Sequence, residues 1–395
     1  MATAMRITRT IRNIFYHELM DILKDEGIWI FIFFVPLFYP LLYSWVYTNE
    51  VVREVPAVVV DECGSERSRE FVRKVDSSPD VRIVARCRSV EEARGWVMRH
   101  EAYGIYQIPR DFDLDLRHLR QTVVALYSDM SSMLYYKALL LSATEVSLEM
   151  DKDIRIERVG AATARDEEIT RMPVEYDHVR LYNPSSGFAS FLIPPVLMLI
   201  LQQTLLLAIG MQMGRTRERN MGFIIPFNRL YKHPVTIVIG KMLVYLGIYI
   251  VMGIYAFALV TRWFQLPQLG HYLTFLAFLV PYLLACIFLA MTLSALIYRR
   301  EDCILIFVFL SVPLLFLSGF SWPESAMHPF WRAVSWFFPS TFGMNGYVRI
   351  TSMGCSLRDI RTEWLALWAQ AAVYFLTACL MYRRHILKMV RTKER

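Results

Sequence analysis

The chain has 395 residues, of which 55% are hydrophobic, 14% aromatic and only 20% charged, and its mean hydropathy is +0.34. A water-soluble chain of this size would spread its apolar residues more evenly, whereas here they collect in runs of about 20, the length that crosses a bilayer. The formal net charge of +7 follows from basic residues gathered at the ends of those runs, which points to anionic lipid headgroups and away from nucleic acid.

In chain order, residues 1–27 read as a basic amphipathic helix and residues 28–48 as a first span, "IWIFIFFVPLFYPLLYSWVY". That span ends in Tyr47-Thr48-Asn49 with no small-residue cleavage site, so it is expected to be a retained anchor. Residues 49–187 carry no run of membrane length and alternate strand-like with helix-like stretches, which predicts a small α/β domain with a largely parallel sheet. Within 188–382 the apolar runs Phe188–Met213, Val235–Val260, Tyr272–Ile297, Cys303–Phe320 and Trp364–Tyr382 predict five more spans. The expected fold is therefore an α-helical integral membrane protein of six transmembrane helices with an α/β domain inserted between the first two. Lys241 is the one charge inside a span, near enough to its end to snorkel.

Arg and Lys fix the expected orientation. They concentrate before the first span, in the loop 214–234, after Ile297 and in a basic tail 383–395, which places both termini in the cytoplasm and the 49–187 domain outside. Catalytic and metal motifs are missing from that domain: "RDFDLDLRH" alternates Asp111, Asp113 and Asp115, but a charge run of this kind is usually a solvated face. The chain is expected to be no enzyme. Cys63 and Cys87 each close a predicted strand, and parallel strands joined by a helix end at the same sheet edge, so the two are candidates for a disulfide.

Several stretches resemble the membrane subunit of type-2 ABC exporters, in the bacterial branch with a large extracytoplasmic insertion. These are "FYHELMDILKDEGIWIFIFFVPLFYPLL", "VVVDECGSERSREFVRKV", "YGIYQIPRDFDLDL", "VALYSDMSSMLYYKALL" and "RLYNPSSGFASFLIPPVLMLIL". The family's S-G-x-x-x-P at the end of span five corresponds to Ser318, Gly319 and Pro323, followed by an apolar hairpin that ends at Pro339. The broken, aromatic stretch 318–345, with Trp322 at headgroup level, reads either as a re-entrant hairpin over the outer mouth of a pathway or as an interfacial loop.

The resemblance implies a permease for efflux of a small amphipathic or drug-like substrate in the bacterial inner membrane. The same family also includes lipid and polysaccharide exporters, and a ligand-sensing or scaffold protein is the alternative outside it. No G-x-x-x-x-G-K-[ST] is present, so ATP and Mg would be bound by a separate ABC ATPase subunit and this chain would hold no cofactor. Other implied partners are a second permease copy or a paralogue, membrane lipids and a periplasmic adaptor protein. Arg217, Glu218 and Arg219 match the family's R-E-[RK] in the loop that meets the ATPase, with Phe223 in the apolar stretch behind them, while Asn220-Met221 replaces the usual Gly-Thr. The same loop also reads as one lying on the lipid surface. Gln202 and Gln203 must face protein or a cavity; they read as interhelical glue or, with Phe316 and Phe320, as lining of a pathway between two permeases.

Overall fold

The computed structural model describes residues 2–118, 120–159, 179, 181–184, 186–220, 222–224 and 233–393. Its contacts divide the chain into two units, Val51–Val179 and the remainder, Met1–Glu50 with Arg180–Arg395.

The larger unit is helical. It begins with α1 (Ala2–Leu23) and α2 (Glu26–Val46), separated by Asp25, whose carboxylate caps α2 through the Ile28 N–H. A π turn over Ile30–Phe34 precedes Pro36 and absorbs the hydrogen bond that this proline cannot make. The smaller unit supplies α3 to α6, described below. The helical unit resumes with α7 (Phe188–Arg219), α8 (Pro234–Trp263), α9 (Tyr272–Ser294) and α10 (Arg300–Leu317). It ends with α11 (Pro329–Ser335), α12 (Pro339–Met353) and α13 (Arg361–Lys393).

Helix α7 is the centre: it is buried on nearly every side from Leu197 to Gly214 and packs on α2, α9, α10 and α12. A helix apolar all round belongs in such a place. Helix α1 lies along α8 and buries Ile14, Glu18 and Ile22, one stripe at four-residue spacing, while Arg9 and Arg12 stay exposed.

Among the described residues five helices are long and apolar enough to cross a membrane: α2, α7, α8, α9 and α13 from Arg361 to Arg391. The predicted fifth span falls on α10, which has 18 residues and opens with Arg300, Glu301 and Asp302, so it falls short of the other five by its charge. Three further stretches take the following form. In the basic tail 383–395, α13 continues to Lys393 and buries Ile386 and Met389. Most of the loop 214–234 is either the end of α7 or lies outside the described residues, Met221 and 225–232 among them. The stretch 318–345 is largely helical: a single 3-10 turn at Glu324–Ala326, then α11, then the start of α12.

Helix α12 is an element the sequence reading did not contain. It starts with Pro339 in its first turn and stops at Gly354, which has φ of +68°, the usual grammar of a helix start and end. Its Gly343 and Gly346 press against the rings of Tyr282 and Phe278 on α9.

In the smaller unit, β1 (Val55–Asp61), β2 (Val81–Cys87), β3 (Gly104–Ile108) and β4 (Ala125–Ser128) form one sheet in the order β2-β1-β3-β4. β1 is parallel to β2 and β3, and β4 joins antiparallel. The helices are α3 (Glu66–Asp76), α4 (Val90–Met98), α5 (Phe112–Arg117) and α6 (Met133–Val159). Ser65 and Ser89 cap α3 and α4 by accepting from the Ser68 and Glu92 N–H groups. Alternate β1 residues feed two cores, Val55, Ala57 and Val59 with α3 and α6 on one face, and Val58 and Val60 with α4 on the other.

The proposed disulfide is not made. Cys63 and Cys87 are free thiols, and they pack into the cores on opposite faces of the sheet. Ending at the same edge does not bring side chains to the same face. Asp113 pairs with Arg117 on α5 at 2.7 Å, and no group of acidic, His and Cys side chains that could hold a metal occurs among the described residues.

Candidate coupling end of the helix bundle

Charged side chains that the sequence places at the ends of apolar runs converge at one end of the helical unit. Asp25, only 9% exposed, is the hub. Its Oδ1 accepts from Arg300 Nη2 at 2.6 Å and from the Ile28 N–H at 3.1 Å. Its Oδ2 accepts from Arg300 Nη1 at 3.2 Å and forms an ion pair with Arg215 Nε at 3.1 Å. Arg215 also donates a hydrogen bond, 2.7 Å, to the backbone carbonyl of Asp21. One carboxylate thus joins the foot of α2, the last turns of α7 and the first turn of α10. Burial pulls this carboxyl upward, but the Ile28 N–H and the two guanidiniums outweigh it and hold it below the ordinary aspartate value. Gly214 lets the helices approach: a Cβ there would stand 2.8 Å from the Arg300 Cα.

A second buried pair ties α1 to α8. Lys241 does not snorkel; it is 7% exposed, as is Glu18. Its Nζ donates to Glu18 at 2.9–3.0 Å and Tyr245 O–H donates to the same carboxylate at 2.9 Å. Glu18 comes from the "HELMD" of the amphipathic helix, and a Glu on the apolar stripe of a membrane-surface helix is the signal that a buried cation awaits it.

Of the four expected coupling residues, Arg217 is turned inward. It donates to the carbonyls of Ala295 and Ile297, the orphaned end of α9, and its guanidinium lies 4.8 Å from the ring centre of Tyr298. Glu218 and Arg219, in contrast, project outward and are exposed, and Phe223 is half-buried. The "RER" motif therefore splits into one internal clamp and two exposed charges.

The expected pathway residues also divide. Gln202 is fully buried and spent: its Oε1 accepts from the Ser340 N–H at 2.7 Å and its Nε2 donates to Ser340 Oγ at 3.2 Å. It therefore caps the first turn of α12. Gln203 is buried with no such partner among the described residues. Phe316 is 56% exposed on the outer face of α10, and Phe320 is half-buried against Phe191, with ring centres 4.8 Å apart.

At the start of the 318–345 stretch, Ser318 closes α10 and its carbonyl accepts from Asn345 of α12 at 3.2 Å. Gly319 takes φ of +81° to turn the chain, a conformation that glycine adopts without strain. Pro323 precedes the 3-10 turn, and Pro339 opens α12. Trp322, Phe330, Trp331 and Trp336 are all exposed, an aromatic group suited to a membrane–water boundary.

No curated protein sequence matches the chain. The family model of the ABC-2 family transporter protein matches residues 27–380, nearly the whole of both units, and this membrane protein of largely apolar helices belongs to that family.

Proposed function

We propose that the chain is the permease subunit of an ATP-driven exporter, with α10 as a sixth span, both termini in the cytoplasm of a bacterium and the Val51–Val179 unit outside the inner membrane. A separate ABC ATPase binds ATP and Mg and docks at the charged end of the bundle; a second permease, a copy or a paralogue, completes the pathway. The substrate class is a small amphipathic molecule, since the faces of α10 and α11 that the unit leaves exposed are apolar and aromatic. The observation that carries this reading is the hub of buried charges. α1, α2, α7, α8 and α10 are all tied together at one end by Asp25 and Glu18, and two exposed charges, Glu218 and Arg219, follow within four residues of Arg215. A force applied there is delivered to most of the bundle.

The test is reconstitution with a candidate soluble ABC ATPase. The chain alone should hydrolyse no ATP, the complex should, and E218K with R219E should weaken assembly measured by co-purification. R217A should instead lower the thermal midpoint of the chain by itself. ATP turnover by the isolated chain would overturn the assignment.

A further inference from the structure

The basic residues at the charged end fall into two groups. Arg215, Arg217, Lys241 and Arg300 are spent inside the bundle, on carboxylates and on the carbonyls that end α9. Arg9 and Arg12 of α1, and Arg383, Arg384 and Arg391 of α13, are exposed. None of these five takes part in an ion pair among the described residues. The exposed charged side chains of α1, and of α13 from Arg383 to Arg391, are all basic.

Helical spacing gathers them on two outward faces. Arg9, Arg12 and Tyr16 follow one another at three and four residues, on the side of α1 away from Ile14 and Glu18. Arg384, Leu387 and Arg391 do the same on α13, away from Tyr382, Ile386 and Met389.

The two faces share one level. Ile14 packs at Gly240 of α8, where a Cβ would stand 2.8 Å from it, and Glu18 holds Lys241. Arg9 and Arg12 precede Ile14 and so lie toward Pro234, the first residue of α8. On α13, Tyr382 stands close enough to Glu18 and Lys241 to feel both charges, and Arg383 and Arg384 come directly after it. Both faces therefore border the first two turns of α8.

That level is the edge of the bilayer. The polar headgroup layer is roughly 5–8 Å deep on each side of the hydrocarbon. The apolar run of α13 ends at Tyr382, so Arg383 and Arg384 lie within about 3 Å of that edge and Arg391 about 13 Å past it. Tyr16, 56% exposed, and Leu387, 52% exposed, put apolar surface between the guanidiniums. Cations alternating with apolar side chains at headgroup depth suit a lipid surface. The planar fork of arginine takes a phosphodiester through two N–H groups. The mixed charges Glu218 and Arg219 make a different kind of face.

We propose that α1 and the end of α13 form one docking surface for the phosphodiester headgroups of anionic phospholipids, which bridge the two helices across α8. A headgroup there holds α1 from its outer side as Lys241 holds it from the inner side, so anionic lipid stabilises the bundle. The inference requires only that the chain lies in a membrane. Its test uses neither an ATPase nor an export substrate, so it stands or falls apart from the exporter reading.

The full-length chain in a nonionic detergent would be titrated with a short-chain phosphatidylglycerol, with phosphatidylcholine of the same chain length, and with glycerol 3-phosphate, following the thermal midpoint. Phosphatidylglycerol should raise the midpoint, less so at high salt, and the other two should not. R9A with R12A, and R383A with R384A, should each need about 25-fold more phosphatidylglycerol for the same shift, at about fivefold per arginine. R9K with R12K should lose less. Without lipid all variants should melt with the wild type, because the side chains they alter are exposed. An equal response to phosphatidylcholine, or an equal response to glycerol 3-phosphate, would overturn the proposal. So would an undiminished phosphatidylglycerol response in both alanine variants, which would assign these arginines to a protein partner instead.

Discussion

At the scale of single residues, several charges at the span ends are internal fittings. Arg215 and Arg300 count toward the positive-inside tally of the sequence and Lys241 lies inside a span, yet each is consumed by a carboxylate of the N-terminal segment. A buried pair is costly to break and cheap to replace as a unit, because removing one partner leaves the other charge stranded. K241M or E18Q should therefore destabilise the chain by about 3–5 kcal/mol, read as a lower thermal midpoint in detergent. The reversed pair, E18K with K241E, should recover part of that loss. Failure of the reversal to recover anything would show that Tyr245 and the local packing, rather than the charge pair, hold α1 on α8. The pair was half legible: Glu18 stands out on an apolar stripe, but nothing in the sequence names Lys241, 223 residues away, as its partner.

At the scale of elements, glycine separates the helices that must touch from those that need not. In α12, Gly343 and Gly346 meet the Tyr282 and Phe278 rings directly, whereas a Cβ at Gly247 of α8 would find nothing within 4 Å. Two alanine substitutions of equal helix propensity should then act in opposite directions. G247A should stabilise by up to about 1 kcal/mol, the ordinary gain for glycine in a helix interior. G343A should cost about 1–3 kcal/mol through overpacking, with the loss of Gln202's grip on Ser340 visible as faster hydrogen exchange in the first turn of α12. Equal melting shifts for the two would contradict the close α9–α12 packing. Helix α12 escaped the sequence reading because its residues are small and polar: "PSTFGMNGYVRITSM" has neither the length nor the hydropathy of a span. Its two boundary signals, Pro339 and Gly354, were nevertheless present.

At the scale of the whole molecule, the chain is two compact units with separate cores. The Val51–Val179 unit has a four-stranded sheet with helices on both faces and its own capped helices, which is the equipment of an independently folding domain. Expressed alone, it should be soluble and unfold in one cooperative thermal transition followed by circular dichroism. A broad, non-cooperative melt would mean that its core depends on the helical unit.

The sequence by itself determined what is local: the apolar runs, the strand and helix alternation of the inserted unit, and the family, whose motifs are contiguous. These follow from hydropathy, periodicity and capping, which act over a few residues. Tertiary structure alone decided which charge meets which, that Arg217 turns in while Glu218 and Arg219 turn out, that Cys63 and Cys87 lie on opposite sides of a sheet, and that of two adjacent glutamines only one finds a partner among the described residues. Those outcomes depend on contacts between residues far apart in the chain and on the face each side chain takes, and neither is recorded in composition or in spacing.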